Sequence, residues 1–230
     1  MSDEPLAFSS EQFCGRARVF PLPNLVMFPH VMQALHVFEP RYRAMLEEAV
    51  DDDRLIALGV LAPGWEQNYE GRPPLRSTAC LCRIATHQRT KQGTYNVLLL
   101  GVRRLRLVNE LPPKKLFRVV EGELLDDVEP AAASPEAAAD MQRELLTAFK
   151  RAMPKIPEAF SQIDQLLGSQ ISLGMLADIV SYTVELDLET KMRLLAECDV
   201  FRRARLLLEA FAHRPAALTG RSFPPDFSLN

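Results

Sequence analysis

Prolines divide the early part of this chain into short pieces, which limits what it can fold into. Residues 20–42 read F-P-L-P-N-L-V-M-F-P-H-V-M-Q-A-L-H-V-F-E-P-R-Y. Proline lacks a backbone N–H, so it is excluded from a strand paired on both edges and usually marks strand ends. Two apolar runs lie between the prolines, at residues 24–28 and 31–38. The first is predicted to be a short strand or extended segment. Pro29-His30 starts a turn, and a second strand follows over residues 32–37. Beyond Phe38 the spacing changes, with Tyr42, Met45, Leu46 and Ala49 at helical intervals. Pro40 at the first helical position, with Glu39 beside it, suits a helix start. Strand, turn, strand and helix must share this stretch.

The following residues supply a sheet. The acidic run 51–53 lacks the spacing of a calcium loop and reads as a solvated turn ending the helix. Residues 55–61 are continuously apolar, as in a strand buried on both faces. Residues 63–77 break the pattern with prolines, glycines and polar residues, as long functional loops do. The single tryptophan, Trp65, is expected to fold back as a lid on the core. Strands are predicted at 78–86 and 95–100, joined by a polar turn at 88–93. Gly101 inside a strand pattern predicts a bulge or bend. Beyond it, Leu105 and Leu107 alternate with Arg104 and Arg106, as on a half-buried edge. A further strand lies within 116–128.

Strand-like alternation stops at residues 129–134. Ser134-Pro135-Glu136 is a helix start with Ser134 as N-cap, and Met141, Leu145 and Phe149 share one face. A short helix over 160–167, one over 173–184, one capped by Asp187 and one begun at Asp199 follow. The predicted division is a lead-in (1–17), a β-rich part (18–130), a helical part of the same domain (131–213) and a tail (214–230).

P-L-P-N-x-x-x-F-P followed by H-x-F-E-P-R-Y resembles the opening of the Lon protease N-terminal domain. Later segments are similar too. Ser77-Thr78-Ala79-Cys80-Leu81-Cys82-Arg83-Ile84 resembles a Gly-Thr-x-Ala-x-Ile pattern, with its threonine at Thr78 and without its glycine. Gly101 and Arg104 fit G-x-x-R, and Leu176 to Asp178 with Lys191 to Glu197 resemble two helical patterns of the family. The resemblance covers residues 18–211. It implies an α+β fold, with a curled, mainly antiparallel sheet forming a PUA-like pseudo-barrel with one early helix, then a helical subdomain. It also implies non-enzymatic recognition of polypeptide in a quality-control or adaptor role. The partners it implies are unfolded or tagged chains, and a separate AAA+ protease.

The residues agree with a non-catalytic reading. No G-x-x-x-x-G-K-[ST] phosphate loop, G-x-S-x-G elbow or H-E-x-x-H motif occurs in the 230 residues. No catalytic residue, cofactor or metal is expected. Cys80 and Cys82 share one face of a strand and read as buried packing rather than as half of a zinc site. Glu39, Arg41 and Tyr42 read as a helix start rather than as catalytic. A net charge of −3 gives no general attraction to nucleic acid or anionic membrane. No run reaches the ~18 apolar residues of a membrane span, no secretory signal leads the chain, and cytoplasm is expected. The peptide-binding patch is expected at Leu22, Pro23, Phe28, Pro29 and Met32, where prolines would hold apolar side chains outward. The alternative is a nucleic-acid surface along Arg103, Arg104, Arg106, Lys114, Lys115 and Arg118. A charged edge that discourages strand addition is the favoured reading of those six residues, because interleaved aromatics are nearly absent.

Overall fold

One strand takes two neighbours in turn along one of its edges, and the barrel depends on it. The computed structural model describes residues 8–69, 71–131, 134–152 and 171–212. It divides into one unit ending at Leu125 and another beginning at Asp126. The first unit holds β1 (Arg16–Leu22), β2 (Met32–Val37), α1 (Pro40–Asp51), β3 (Leu55–Val60), β4 (Thr78–Arg89), β5 (Tyr95–Glu110) and β6 (Arg118–Leu125). The strand order is β2-β5-β4-β3-β1-β6, with a further β5–β6 pairing. That extra pairing closes five strands into a barrel and leaves β2 as an edge strand. Residues 95–100 of β5 pair with β2, and residues 104–110 pair with β6. Every pairing is antiparallel except β1 with β3.

The change of partner occurs at Gly101. Leu81 faces Arg103 and Cys82 faces Gly101, so Val102 is an extra residue and the expected bulge is present. Gly101 also anchors the loop before β2. Its N–H donates to the Val31 carbonyl at 2.9 Å, and its carbonyl accepts from His30 N–H at 2.8 Å. A Cβ at Gly101 would overlap the Phe28 carbonyl, whose carbon would lie 2.9 Å away, and would stand 3.1 Å from Cys80 Sγ. Backbone cannot yield as a flexible side chain does. Gly101→Ala is therefore expected to cost at least about 2 kcal/mol, read as a lower denaturation midpoint. An unchanged midpoint would show that the loop at Phe28 is free to move.

The first apolar run, 24–28, is not a strand. It lies in a loop whose Val26, Met27 and Phe28 side chains are buried. The strand is upstream and contains Pro21, opposite Gly59 of β3. Proline is tolerated there because β6 pairs with β1 only at residues 16–19. At Pro21 the strand has one neighbour and its missing N–H breaks no second ladder.

Two apolar layers result. Ala17, Val19, Leu55, Ala57, Ala79 and Leu81 belong to a cluster completed by β5 and β6. Alternate residues of the same strands are also buried, and β3 is buried at all six positions, as its sequence predicts. Helix α1 contributes Tyr42, Met45, Leu46 and Ala49 to the core, with the Tyr42 ring 4.3 Å from that of Phe20. Cys80 and Cys82 are fully buried in the core. The acidic run is not merely solvated. Arg18 reaches across from β1 to Glu48 at 2.8 Å, to Asp53 at 2.7 Å and to Asp52. Asp53 also accepts the Leu55 N–H at 2.8 Å. One guanidinium thus ties the end of α1 to the sheet. Trp65, expected as a lid, is half-buried and meets the Tyr69 ring edge-on at 5.7 Å.

The second unit holds α2 (Pro135–Ala152), α3 (Leu173–Thr183), α4 (Leu188–Ala196) and α5 (Val200–Ala212). Their starts follow the expected caps. Ser134 Oγ accepts from Ala137 N–H, Asp187 from Thr190 N–H, and Asp199 from Phe201 N–H. A charged cluster fixes this unit. Arg203 on α5 is fully buried and donates to both oxygens of Asp127, at 2.9 and 2.6 Å, and to the Glu197 carbonyl at 3.0 Å. Its Nε lies 3.5 Å from Asp178 on α3, itself fully buried. Gly174 makes room, since a Cβ there would stand 3.1 Å from both Arg203 Nη2 and Val200 Cγ1. The short helix over 160–167 and the tail over 214–230 lie outside the described residues.

Candidate functional site

The expected peptide patch does not form as an exposed surface. Leu22 is 2% exposed and Phe28 0%, and Pro29 is also buried. The reason is the backbone tie at Gly101, which turns the 23–31 loop inward. Pro23 is half-buried, and Met32 alone of the five is exposed, at 46%. Met32 begins the edge strand β2 and Phe38, also exposed, follows its end. Between them Ala34 and His36 share that face, and His36 bonds Asn96 at 2.8 Å.

The basic stretch does not form one surface either. Arg104 and Arg118 are buried. Arg106 faces Glu123, Lys115 faces Glu48, and Arg118 faces Glu110. Burial works against ionisation of Glu48, but hydrogen bonds from Lys115 and Arg18 prevail and hold its carboxyl below the usual range. A nucleic-acid strand would therefore have to compete with carboxylates already in place.

A groove of about 540 Å³ lies elsewhere in the first unit. It forms where four segments meet: β1 at Pro21, the start of α1 at residues 39–42, the loop around residues 69–73, and the entry to β6. Pro21, Tyr42, Leu61, Pro73, Phe117 and Arg118 are its buried lining residues, and Leu116 is 72% exposed. The loop is closed at its base by the Leu61–Leu75 bridge and by Ala62 N–H to the Pro74 carbonyl at 2.8 Å. Tyr69 ties it to α1, donating to Glu39 at 3.2 Å. Burial, with Glu39 beside it, raises the Tyr69 pKa, so the hydroxyl stays a donor. Arg41 pairs with Glu39 at 2.8 Å and lies over the rings of Tyr42, at 4.7 Å, and Tyr69, at 5.4 Å. Burial also pushes the Tyr42 hydroxyl up, with Arg41 opposing.

Glu39, Arg41 and Tyr42 thus mark a helix start and also line the groove. Leu61, Tyr69, Arg72, Pro73, Leu116 and Phe117 were not singled out from sequence as one site. Their only signal was the long irregular loop, because the groove joins segments far apart in the chain. Nothing in it resembles a nucleophile with a base. Among the described residues no group of three or more His, Cys, Asp or Glu side chains is placed to hold a metal ion. No helix among them is long and apolar enough to cross a membrane.

Comparison with known proteins agrees with this architecture. The model of the ATP-dependent protease La (LON) substrate-binding domain matches residues 16–213. Lon protease of Anaeromyxobacter dehalogenans is 27% identical over 210 residues, 89% of this chain and 24% of that protein. Lon protease 1 of Thermus thermophilus is 27% identical over 192 residues, 83% of this chain and 24% of that protein. The chain thus spans about a quarter of the length of these relatives. Among solved structures, a Lon N-terminal domain protein from Xanthomonas campestris superposes with a TM-score of 0.61 at 20% identity. It covers 87% of this chain and 99% of its own. The N-terminal domain of Mycobacterium avium complex Lon protease gives a TM-score of 0.62 at 17% identity, over 87% of this chain and 100% of its own. These two structures share the fold, and the family match runs from β1 to just beyond α5. The chain belongs to the ATP-dependent protease La (LON) substrate-binding domain family.

Proposed function

We propose that this domain binds extended apolar segments of unfolded or tagged polypeptide without catalysis, and does so in the groove bounded by Pro21, Tyr42, Tyr69 and Leu116. Its role would be recognition or adaptor work in protein quality control, delivering clients to a separate AAA+ protease. One observation carries the reading: residues of the family motif, Glu39 to Tyr42, line a groove with buried apolar walls and an exposed leucine at its edge. Proline and aromatic walls suit an extended chain, because rigid side chains lose little entropy on contact.

Leu116→Asp tests this. The side chain is exposed, so the melting temperature should barely move. Binding of reduced, carbamidomethylated α-lactalbumin should weaken about tenfold or more. The same preparation is expected to hydrolyse neither ATP nor casein. Unchanged binding in the variant would remove the groove from the interface, and turnover that follows the protein peak through repurification would end the non-catalytic reading.

A further inference from the structure

We infer that the groove selects a segment in which an apolar side chain lies next to a carboxylate, either the chain's C-terminal one or that of an aspartate or glutamate. The inference rests on the peptide-binding reading above and adds the chemistry of the ligand. It starts from the charges. Among the described residues, Arg41, Arg72 and Arg118 line the groove against Glu39 alone, and Glu110 bridges Arg72 and Arg118. Among the described residues three guanidiniums thus face two carboxylates.

The three arginines are not equivalent. Arg118 grips Glu110 with both arms of its fork, Nε at 2.9 Å and Nη2 to the other oxygen, and donates to the Pro73 carbonyl at 2.7 Å. Arg41 is committed to Glu39 and to two tyrosine rings. Arg72 holds the already shared Glu110 through one nitrogen at 3.0 Å. Its other terminal nitrogen, Nη2, lies 3.4 Å from the Lys115 carbonyl, longer than a good hydrogen bond. Arg72 can therefore turn to a ligand carboxylate at the smallest loss. In a site partly shielded from water, such a charge-assisted pair gains strength. The apolar part of the ligand has Leu116 and the Pro21–Pro73–Phe117 lining to rest on. A bare polyanion would satisfy Arg72 and leave that apolar surface uncovered.

Three short peptides test this by calorimetry at low salt: Gly-Ser-Gly-Ser-Ala-Leu as the free acid, the same peptide as its C-terminal amide, and Gly-Ser-Ala-Leu-Asp-Gly amide. The free acid is expected to bind about tenfold more tightly than its amide. Binding of the aspartyl peptide above the amide would bring side-chain carboxylates within the specificity; binding of the free acid alone would restrict it to chain ends. Arg72→Gln should reduce the acid-to-amide ratio to within about twofold while the melting temperature holds. Equal binding of acid and amide overturns the inference, as does a preference that survives Arg72→Gln. Tighter binding of a single-stranded oligonucleotide than of the free acid also overturns it. If no peptide binds while carbamidomethylated lactalbumin still binds in a Leu116-dependent way, the carboxylate inference falls alone. If neither binds, the groove reading falls with it.

Discussion

Phe28→Asp is expected to yield no folded barrel, whereas Met32→Asp, four residues away, melts close to wild type. Phe28 is fully buried and its carbonyl lies against Gly101. Truncating a buried phenylalanine costs about 3–5 kcal/mol, and an unpaired buried carboxylate adds to that. Against a typical domain stability of about 5–15 kcal/mol, little or nothing remains. Met32 is 46% exposed on an edge strand, where substitution costs about 1 kcal/mol or less. Circular dichroism and thermal melting separate the two variants. A folded Phe28→Asp protein would mean that the 23–31 loop can leave the core, restoring it as a binding surface. Loss of polypeptide binding in a stably folded Met32→Asp variant would extend the interface from the groove to the β2 edge.

Arg203→Met is expected to destabilise the helical unit by about 3–5 kcal/mol, the cost of removing one partner from a buried charge cluster. The methionine can fill the volume, so lost packing is not the main effect. The damage comes from Asp178, fully buried, and from Asp127, each left without the guanidinium between them. Arg203→Lys should recover only part of the loss, because an ammonium cannot match both oxygens of Asp127. Denaturant midpoints followed by the far-UV helical signal provide the measurement. If Arg203→Met matches wild type, the cluster contributes nothing net. If Arg203→Lys equals wild type, the forked geometry is irrelevant.

The chain's local order is legible in its residues. Pro40 starts α1 and Ser134, Asp187 and Asp199 cap later helices because caps and fixed backbone angles act within a few residues. The apolar run at 55–61 shows a doubly buried strand, and Gly101 shows a bulge, since both leave local marks. The spacing of the P-L-P-N and F-E-P-R-Y motifs was enough to indicate the family. Which side chains face solvent was not legible. A proline-bounded apolar loop has the same sequence whether it projects or folds in; here Gly101, some seventy residues on, decides by bonding its backbone. The fates of the charges were equally distant decisions. Arg104 and Arg118 belong to a basic cluster when read in sequence, yet both are buried in the fold. Lys115 finds Glu48 across 67 residues, and Arg72 finds Glu110 across 38. Periodicity reports which face of an element a residue occupies. What covers that face, and which charge or cavity it meets, is set only when β5 changes partner at Gly101 and brings α1, the 62–74 loop and β6 around one groove.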